Sequence, residues 1–303
     1  MRMVLDLIII GAGPAGITAS VYAARKKINF MVLTKDVGGQ AGWSSDVENY
    51  PGYQFITGPD LVEKFQEHMQ KYGIKLKENE EVIELEKKDN IIHIKTAKAS
   101  YETKTAIIAA GKKVKEIGVH GEQEYKNKGV TYCVTCDGPL FAEKDIAVVG
   151  GGNSALDAAI QMMNIANKVY LINITDEFIG DSIMQEKVRN SPKVKILHNA
   201  RVESIIGDKF VKGINIDIQG KKETLDVKGI FIEIGLMPNS WFAKDIDKNE
   251  KGEIKVNCAN ETNAPGVFAA GDVTSVPEKQ IVIAAGDGAK AALGAFRYLA
   301  RLK

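Results

Sequence analysis

Cys133 and Cys136 stand three positions apart in YCVTCDG, and Asp137 follows the second thiol directly. Two cysteines at this spacing can close a small disulfide ring and reopen it, which suits thiol exchange and two-electron transfer. An acid beside them could move protons onto and off the sulfurs. The bland alternative for Asp137 is a turn cap ahead of Gly138 and Pro139. The pair could also be half of a zinc site, but zinc needs four ligands. Only Cys258 and four scattered histidines (His68, His93, His120, His198) remain, and none forms a second ligand pair, so no metal is expected.

Two glycine clusters suggest a second chemistry. In GAGPAG, Gly11 permits a tight turn, Gly13 lets the backbone approach a pyrophosphate, and Gly16 lets helix and strand pack closely, with Pro14 and Ala15 opening the helix. GGGNSA repeats the pattern over Gly150, Gly152, Asn153, Ser154 and Ala155, with alanine in the third place. One such motif is weak, because turns need glycine; two, each between an apolar run and a helical stretch, point to two dinucleotides. The first N–H groups of each helix are there for phosphates. Two dinucleotides imply a relay, with a flavin held permanently and a nicotinamide that visits.

These motifs need elements to hold them. Leu5 to Ile10 reads as a strand and Ile17 to Ala24 as a helix; Ile146 to Val149 and Leu156 to Met163 repeat the arrangement. Strands ending in glycine also recur, at Gly111 (AIIAAG), at Gly235 (IFIEIG), and at Gly271 before Asp272. The third follows a polar stretch at Ala243 to Gly252 and reads as the first unit resuming. The expected fold class is α/β, with two Rossmann-like dinucleotide-binding domains, the second inserted into the first: residues 1–113 and 244–303, and residues 114–243. A chain of 303 residues, 45% hydrophobic, can bury two such cores. Met162 and Met163 read as helix packing and Cys258 as a structural thiol.

Lys plus Arg (40) nearly cancels Asp plus Glu (39), which leaves no long-range field for nucleic acid or an anionic membrane. Three cysteines build no disulfide scaffold, so a reducing, cytoplasmic compartment is expected. The uncharged run Leu7 to Ala24 touches the lower limit of a membrane span, or with Arg2 suggests a signal peptide. Gly11, Gly13, Pro14 and Gly16 in its middle argue instead for strand, turn and helix.

From Met1 to Lys303 the chain resembles the low-molecular-weight thioredoxin reductase family. The marks are GAGPAG, GGQ at Gly38 to Gln40, ENYPG at Glu48 to Gly52, CVTCDG at Cys133 to Gly138, GGGNSA, and GVFAAGD at Gly266 to Asp272. Larger flavin disulfide reductases carry their cysteines just after the first glycine motif and use a C-terminal histidine; here the cysteines come late and no histidine follows His198. Within the family, the chain is similar to the flavoprotein component of the alkyl hydroperoxide reductase system. That likeness rests on GVTYC at Gly129 to Cys133, CDGPLF at Cys136 to Phe141, GIFIEIGLMPN at Gly229 to Asn239, and VPEKQIVIAAGDGAKAALGAF at Val276 to Phe296. Those relatives carry a further N-terminal thioredoxin-fold domain, so the likeness implies a separate small dithiol protein in its place.

The resemblance implies FAD along Gly11, Gly13, Pro14 and Ala15, with Lys35, Gly39, Gln40, Asn49, Val82 and the strand-end Gly111 around it. Asp272 would bond the ribityl chain, and Gln280 and Ile281 would bring backbone N–H groups near the flavin pyrimidine. A nicotinamide would lie along Gly150, Gly152, Asn153, Ser154 and Gly235. Hydride would pass to the flavin, electrons to the Cys133/Cys136 disulfide, and the dithiol would reduce a thioredoxin, a glutaredoxin-like protein or a peroxiredoxin carrier. Cys136 would face the flavin, Cys133 would attack the partner, Asp137 would handle protons, and the enzyme would be a homodimer. Because the cysteines and the nicotinamide motif share the inserted domain yet serve one flavin, that domain would rotate about Lys112 to Glu116 and Asn239 to Lys244.

The chain departs from the family pattern in two places. The second strand of the first unit ends in Leu33, Thr34, Lys35, where a Rossmann fold often sets an acid for the ribose. NADPH-dependent relatives carry HRRxxxR after the second strand of the inserted domain; Asn173, Ile174, Thr175 and Ile179 stand there instead. Without that fork of donors a 2′-phosphate would be desolvated with poor compensation. Asn173 could bond a ribose 2′-hydroxyl, which points to NADH over NADPH. Alternatives are a relative that takes electrons from ferredoxin or a deazaflavin, a dithiol oxidase, and a redox-sensing flavoprotein whose turnover is incidental.

Overall fold

The computed structural model describes residues 4–44 and 47–302; Arg2 lies outside them. The chain forms two compact units, one from Met1–Trp43, Val47–Lys113 and Met237–Lys303, the other from Val114–Leu236.

The first unit is built on β1 (Leu5–Ala12), β2 (Phe30–Val37), β3 (Leu76–Lys77), β4 (Val82–Lys88), β5 (Ile91–Thr96) and β6 (Ser100–Ile108), in the spatial order β3-β2-β1-β6-β5-β4. β17 (Val267–Ala269) adds in parallel to β6. β1 lies parallel to both neighbours, with Ile8 opposite Met31 and Ala106. Its near-continuous apolar sequence follows from burial on both faces. Leu7 and Ile9 pack with Ile17, Ala19 and Ala23 of α1 (Pro14–Arg25) and with Ala291 and Ala295 of α6 (Ile281–Arg301). Ile8 and Ile10 face the other way, toward Leu85, Ile92, Ile94 and Ile254. Each fully buried isoleucine contributes about 1.5 to 3 kcal/mol. α2 (Gly58–Lys71) begins at Thr57, whose side chain accepts the Asp60 N–H at 3.2 Å.

Phe242 and Ala243, expected from sequence in the inserted unit, are buried in this second core beside Ile8 and Ile246. The chain therefore re-enters the first unit at Met237, earlier than the expected 244. A polar stretch marks exposure; the apolar side chains ahead of it decide where packing resumes. Short strands β7 (Lys112–Val114) and β16 (Leu236–Pro238) mark the two crossings.

The second unit has β8 (Val130–Thr131), β9 (Asp145–Val149), β10 (Lys168–Ile172), β11 (Val194–Leu197) and β15 (Gly229–Ile232), all parallel, in the order β11-β10-β9-β15-β8. β12 (Ala200–Gly207), β13 (Val211–Ile218) and β14 (Lys221–Asp226) form a separate antiparallel sheet. The helices are α3 (Val134–Asp137), α4 (Asn153–Met163) and α5 (Ser182–Arg189). Met162 is fully buried with Val148 and Phe231. Among the described residues no helix is long and apolar enough to cross a membrane.

Candidate active site

In the second unit, β8 ends two residues before Cys133, and the chain turns there into α3. Cys133 and Cys136 are joined as a disulfide with Cα atoms 5.3 Å apart. Cys133 is also the helix cap, since its Sγ accepts the Cys136 N–H at 3.2 Å. Thr131 ties the acid to this turn: its hydroxyl donates to Asp137 Oδ2 and accepts the Cys133 N–H, the latter at 3.3 Å. Ahead of the pair, the Tyr132 hydroxyl donates to Glu122, which also accepts the N–H groups of Ile117 and Gly118. Burial and Glu122 together hold the Tyr132 phenol well above its usual range. Glu122 lies in no motif, and Thr131, although inside GVTYC, has no role that the sequence assigns. Cys258, outside this cluster, is an exposed free thiol. Among the described residues no group of His, Cys, Asp and Glu could hold a metal ion.

Glu233, one residue past β15, is a further group that the sequence did not flag. Burial pushes its carboxyl up to about 8; the Val134 N–H works against this and Asp157 adds to it. A glutamate in IFIEIG reads as a strand-end residue, and only the neighbouring strands show that it lies beside the cysteine turn.

The second glycine loop runs from β9 into α4. Gly150 has φ +146, and a Cβ there would strike the Glu233 carbonyl. Gly152 caps α4 without a side-chain bond, and a Cβ on it would find nothing nearer than Ile179 at 4.0 Å. That is open space over free helix N–H groups, as a phosphate requires. Asn153 and Ser154 are exposed on the first turn, with Asn153 Oδ1 accepting the Asp181 N–H at 2.7 Å. The Gly235 carbonyl accepts the Lys115 N–H at 3.0 Å.

Asn173 does not present itself to a ribose as expected. It is 2% exposed. Its Nδ2 donates to the Thr175 and Glu177 carbonyls at 3.1 and 2.9 Å and lies 3.1 Å from His198 Nδ1, while Oδ1 accepts the Thr175 hydroxyl at 3.0 Å. The amide is consumed in shaping the loop after β10. What that loop exposes is Ile174, Asp176, Glu177 and Ile179.

In the first unit, the structure brings some of the predicted flavin residues together in pairs: Gly13 with Gly39, Ala15 with Gly271, and Asn49 with Gln280. Gly13 caps α1 without a side-chain bond, and Gly39 packs against it, a Cβ on Gly39 lying 3.5 Å from Gly13 Cα. A Cβ on Gly11 would strike the Ala109 carbonyl, whereas one on Gly13 would meet only the Gly38 carbonyl at 3.9 Å. Ala15 packs beneath Gly271. Asn49 Nδ2 donates to Gln280 Oε1 at 3.1 Å, and Gln280 caps the 21-residue α6, which begins at Ile281. Gln40 Nε2 donates to the Lys112 carbonyl at 2.5 Å. Lys35 is exposed at the end of β2, Val82 turns its side chain into the core, and Gly111 (φ +65) accepts the Asn239 N–H at 3.0 Å.

A charged cluster that no motif announces lies beside Asp272. The Lys112 ammonium pairs with Glu253, Lys279 lies 3.7 Å from the same oxygen, and all three side chains are largely buried. Burial pushes Glu253 up, but the bonds from Lys112 and Asn249 outweigh it and hold the carboxyl below its usual range. Burial raises Asp272, and Lys279 and Lys112 pull it part of the way back.

A family model described as pyridine nucleotide-disulphide oxidoreductase matches residues 5–288. A protein named NADH dehydrogenase from Ferdinandcohnia aciditolerans is 41% identical over 300 residues, 98% of this chain and 58% of its own length. The alkyl hydroperoxide reductase F protein from Staphylococcus epidermidis is 40% identical over 98% of this chain and 59% of its own. The chain thus spans less than two thirds of these curated relatives. The crystal structure of thioredoxin reductase from Streptococcus pyogenes superposes with a TM-score of 0.94 at 36% identity, covering 99% of this chain and 100% of that one. With its two dinucleotide-binding folds and a CxxC disulfide in the second, the chain belongs to the pyridine nucleotide-disulphide oxidoreductase family.

Proposed function

We propose that this chain is a flavin-dependent disulfide reductase that passes electrons from NADH through FAD and the Cys133/Cys136 disulfide to a thioredoxin- or glutaredoxin-like protein. The observation that carries this reading is the Cys133–Cys136 disulfide on α3, with Asp137 bonded through Thr131 to the same turn.

The first unit fits FAD. Gly13 leaves the space a side chain would fill open at the start of α1, and the residues expected at the flavin, Gln40, Asn49, Asp272 and Gln280, lie on neighbouring segments. When bound, FAD supplies two-electron chemistry between a nicotinamide and a disulfide. Around it, Lys112 and Lys279 hold positive charge near Asp272, and the start of α6 offers backbone N–H groups where negative charge would develop. In the second unit, Gly150 and Gly152 would hold the nicotinamide cofactor's pyrophosphate, with Asn153 and Ser154 at its flank.

When the disulfide is reduced, two electrons break the S–S bond and two protons complete the thiols. Asp137 is the group placed to deliver a proton to Cys136 and to take it back. Cys133, capping α3 and partly exposed, would attack a partner disulfide. NADH is preferred because the loop after β10 offers Asp176 and Glu177 and no cation to a 2′-phosphate.

Anaerobic mixing with NADH or NADPH, followed by flavin absorbance, tests the reading. Fast bleaching by NADH alone supports it, and bleaching by neither nucleotide removes the nicotinamide step.

A further inference from the structure

Glu233 stands one residue past the carboxyl end of β15, the strand that runs between β8 and β9. Phe231 is opposite Thr131 on one side and Ile232 is opposite Val149 on the other. Continued by one residue, the second register sets Glu233 level with Gly150, while on the other side β8 ends at Thr131 and the chain turns into α3 through Cys133. Its backbone is held there: the N–H donates to the Val149 carbonyl at 2.8 Å, and its own carbonyl fills the space that a Cβ on Gly150 would need. The Val134 N–H, first of the two residues between the cysteines, is directed at its carboxyl. Ligands of parallel α/β sheets gather at this end of the strands, so a carboxyl here is placed to act on both the disulfide and the nucleotide loop.

The charged groups on the surrounding elements are Asp157 on α4, Asp137 on α3, and Lys115 beside Gly235. Burial and Asp157 favour the protonated carboxyl, and the Val134 N–H alone favours the carboxylate. The balance lies with the neutral acid, which distinguishes Glu233 from an ordinary surface glutamate.

We propose that Glu233 is a positioning residue of the redox pair: its carboxyl keeps a proton while the Cys133 thiolate forms beside it, and once ionised it opposes that thiolate. This rests on the reading of Cys133 and Cys136 as the exchanging pair. To attack a partner, the reduced Cys133 thiol loses its proton to solvent and becomes an anion at the first turn of α3. A neutral neighbour leaves that anion unopposed. A carboxylate at the same place disfavours it, as like charges sharing a site do. The coupling is mutual, so the thiolate in turn keeps Glu233 protonated to higher pH.

The test is iodoacetamide alkylation of Cys133, followed peptide by peptide from about pH 6 to about pH 10. It uses the FAD-loaded protein reduced with dithiothreitol, as wild type, Glu233→Gln and Glu233→Ala, with the exposed Cys258 as internal control. Expected are equal Cys133 rates at the acid end and, in the alkaline range, rates up to about tenfold faster in both variants, the effect of a like-charge shift of about one pK unit. Cys258 stays unchanged. Superimposable Cys133 profiles for wild type and Glu233→Gln overturn the proposal, as does a gap of equal size at every pH, which would mark a packing role. Failure of NADH and NADPH to reduce the flavin would overturn the proposed function instead, since dithiothreitol-generated thiols still report on Glu233.

Discussion

The Asn173 carboxamide occupies the space that a Cβ on Gly151 would need, so the middle residue of the second glycine loop is confined to glycine by a side chain just past the end of β10. The same amide bonds the Thr175 and Glu177 carbonyls. One residue therefore shapes both the phosphate loop and the loop after β10.

This contact predicts a compensating pair. Gly151→Ala should destabilise the protein by about 1 to 3 kcal/mol, as overpacking does, and weaken NADH binding. Asn173→Ala alone strips two part-buried carbonyls of a donor and should cost about 1 kcal/mol. The double variant should lose less than the sum, because the alanine at 173 makes room for the new methyl group. Thermal unfolding and nucleotide titration of all four proteins check this; strict additivity would show that the two residues do not meet.

Nicotinamide choice should be movable at the loop after β10. Ile174 and Ile179 are 63% and 85% exposed, so replacing them costs little packing. Ile174→Arg with Ile179→Arg supplies the missing fork of donors and offsets Asp176 and Glu177. The expected result is a gain of about tenfold or more in kcat/KM for NADPH, one good charge-assisted contact being worth about 1.5 to 3 kcal/mol, with a smaller change for NADH. Steady-state kinetics with both nucleotides decides it.

Asp137→Asn keeps an acceptor for the Thr131 hydroxyl but removes the proton. Turnover with a disulfide substrate should fall by on the order of a hundredfold, the usual contribution of a general acid. The anaerobic rate of flavin bleaching by NADH should hold. A loss of both would mean that the substitution disturbs more than proton transfer.

Glu233 also predicts how stability varies with pH. Its carboxyl is raised from 4.5 to about 8 in the folded protein. Between those values the folded state holds a proton that the unfolded chain has released, so stability falls as pH rises through this window and levels off above it. Glu233→Gln, which never ionises, escapes the penalty. Its advantage over wild type should be absent near pH 4, grow through neutrality, and reach on the order of 5 kcal/mol above pH 8, a shift of about 3.5 pK units at about 1.4 kcal/mol each. Denaturant midpoints across that range provide the measurement, and a constant difference would contradict the assignment.

Much of the fold was legible because its signals are local. The apolar run Leu5 to Ile10, the turn at Gly11 and the alanine-rich helix after it lie within one stretch of chain, and the same is true of Ile146 to Met163. A residue buried on both faces of a sheet must be apolar, and a backbone that meets phosphate must lack a side chain. Cys133 and Cys136 are legible as an exchanging pair from their spacing together with the absence of a second cysteine or histidine pair that could complete a zinc site.

Tertiary structure decided what depends on residues far apart in the chain. Asn173 looked like a ribose ligand from its place at a strand end, yet its polar atoms are spent on Thr175, Glu177 and the neighbourhood of His198. Glu233 looked like one more strand residue, and only the packed strands set it between the cysteine turn, whose Val134 N–H meets its carboxyl, and Gly150, which its carbonyl confines. Lys112, Glu253 and Lys279 come from three separate segments and share one buried charge balance. The glycine turns and the cysteine pair were legible in the chain because a backbone without a side chain and a loop closed by two thiols are local properties, even though the groups that confine Gly11, Gly150 and Gly151 come from distant segments. Desolvation and charge coupling act between whatever folding brings together, so the ionisation and partners of these side chains were settled only by the packed strands around them.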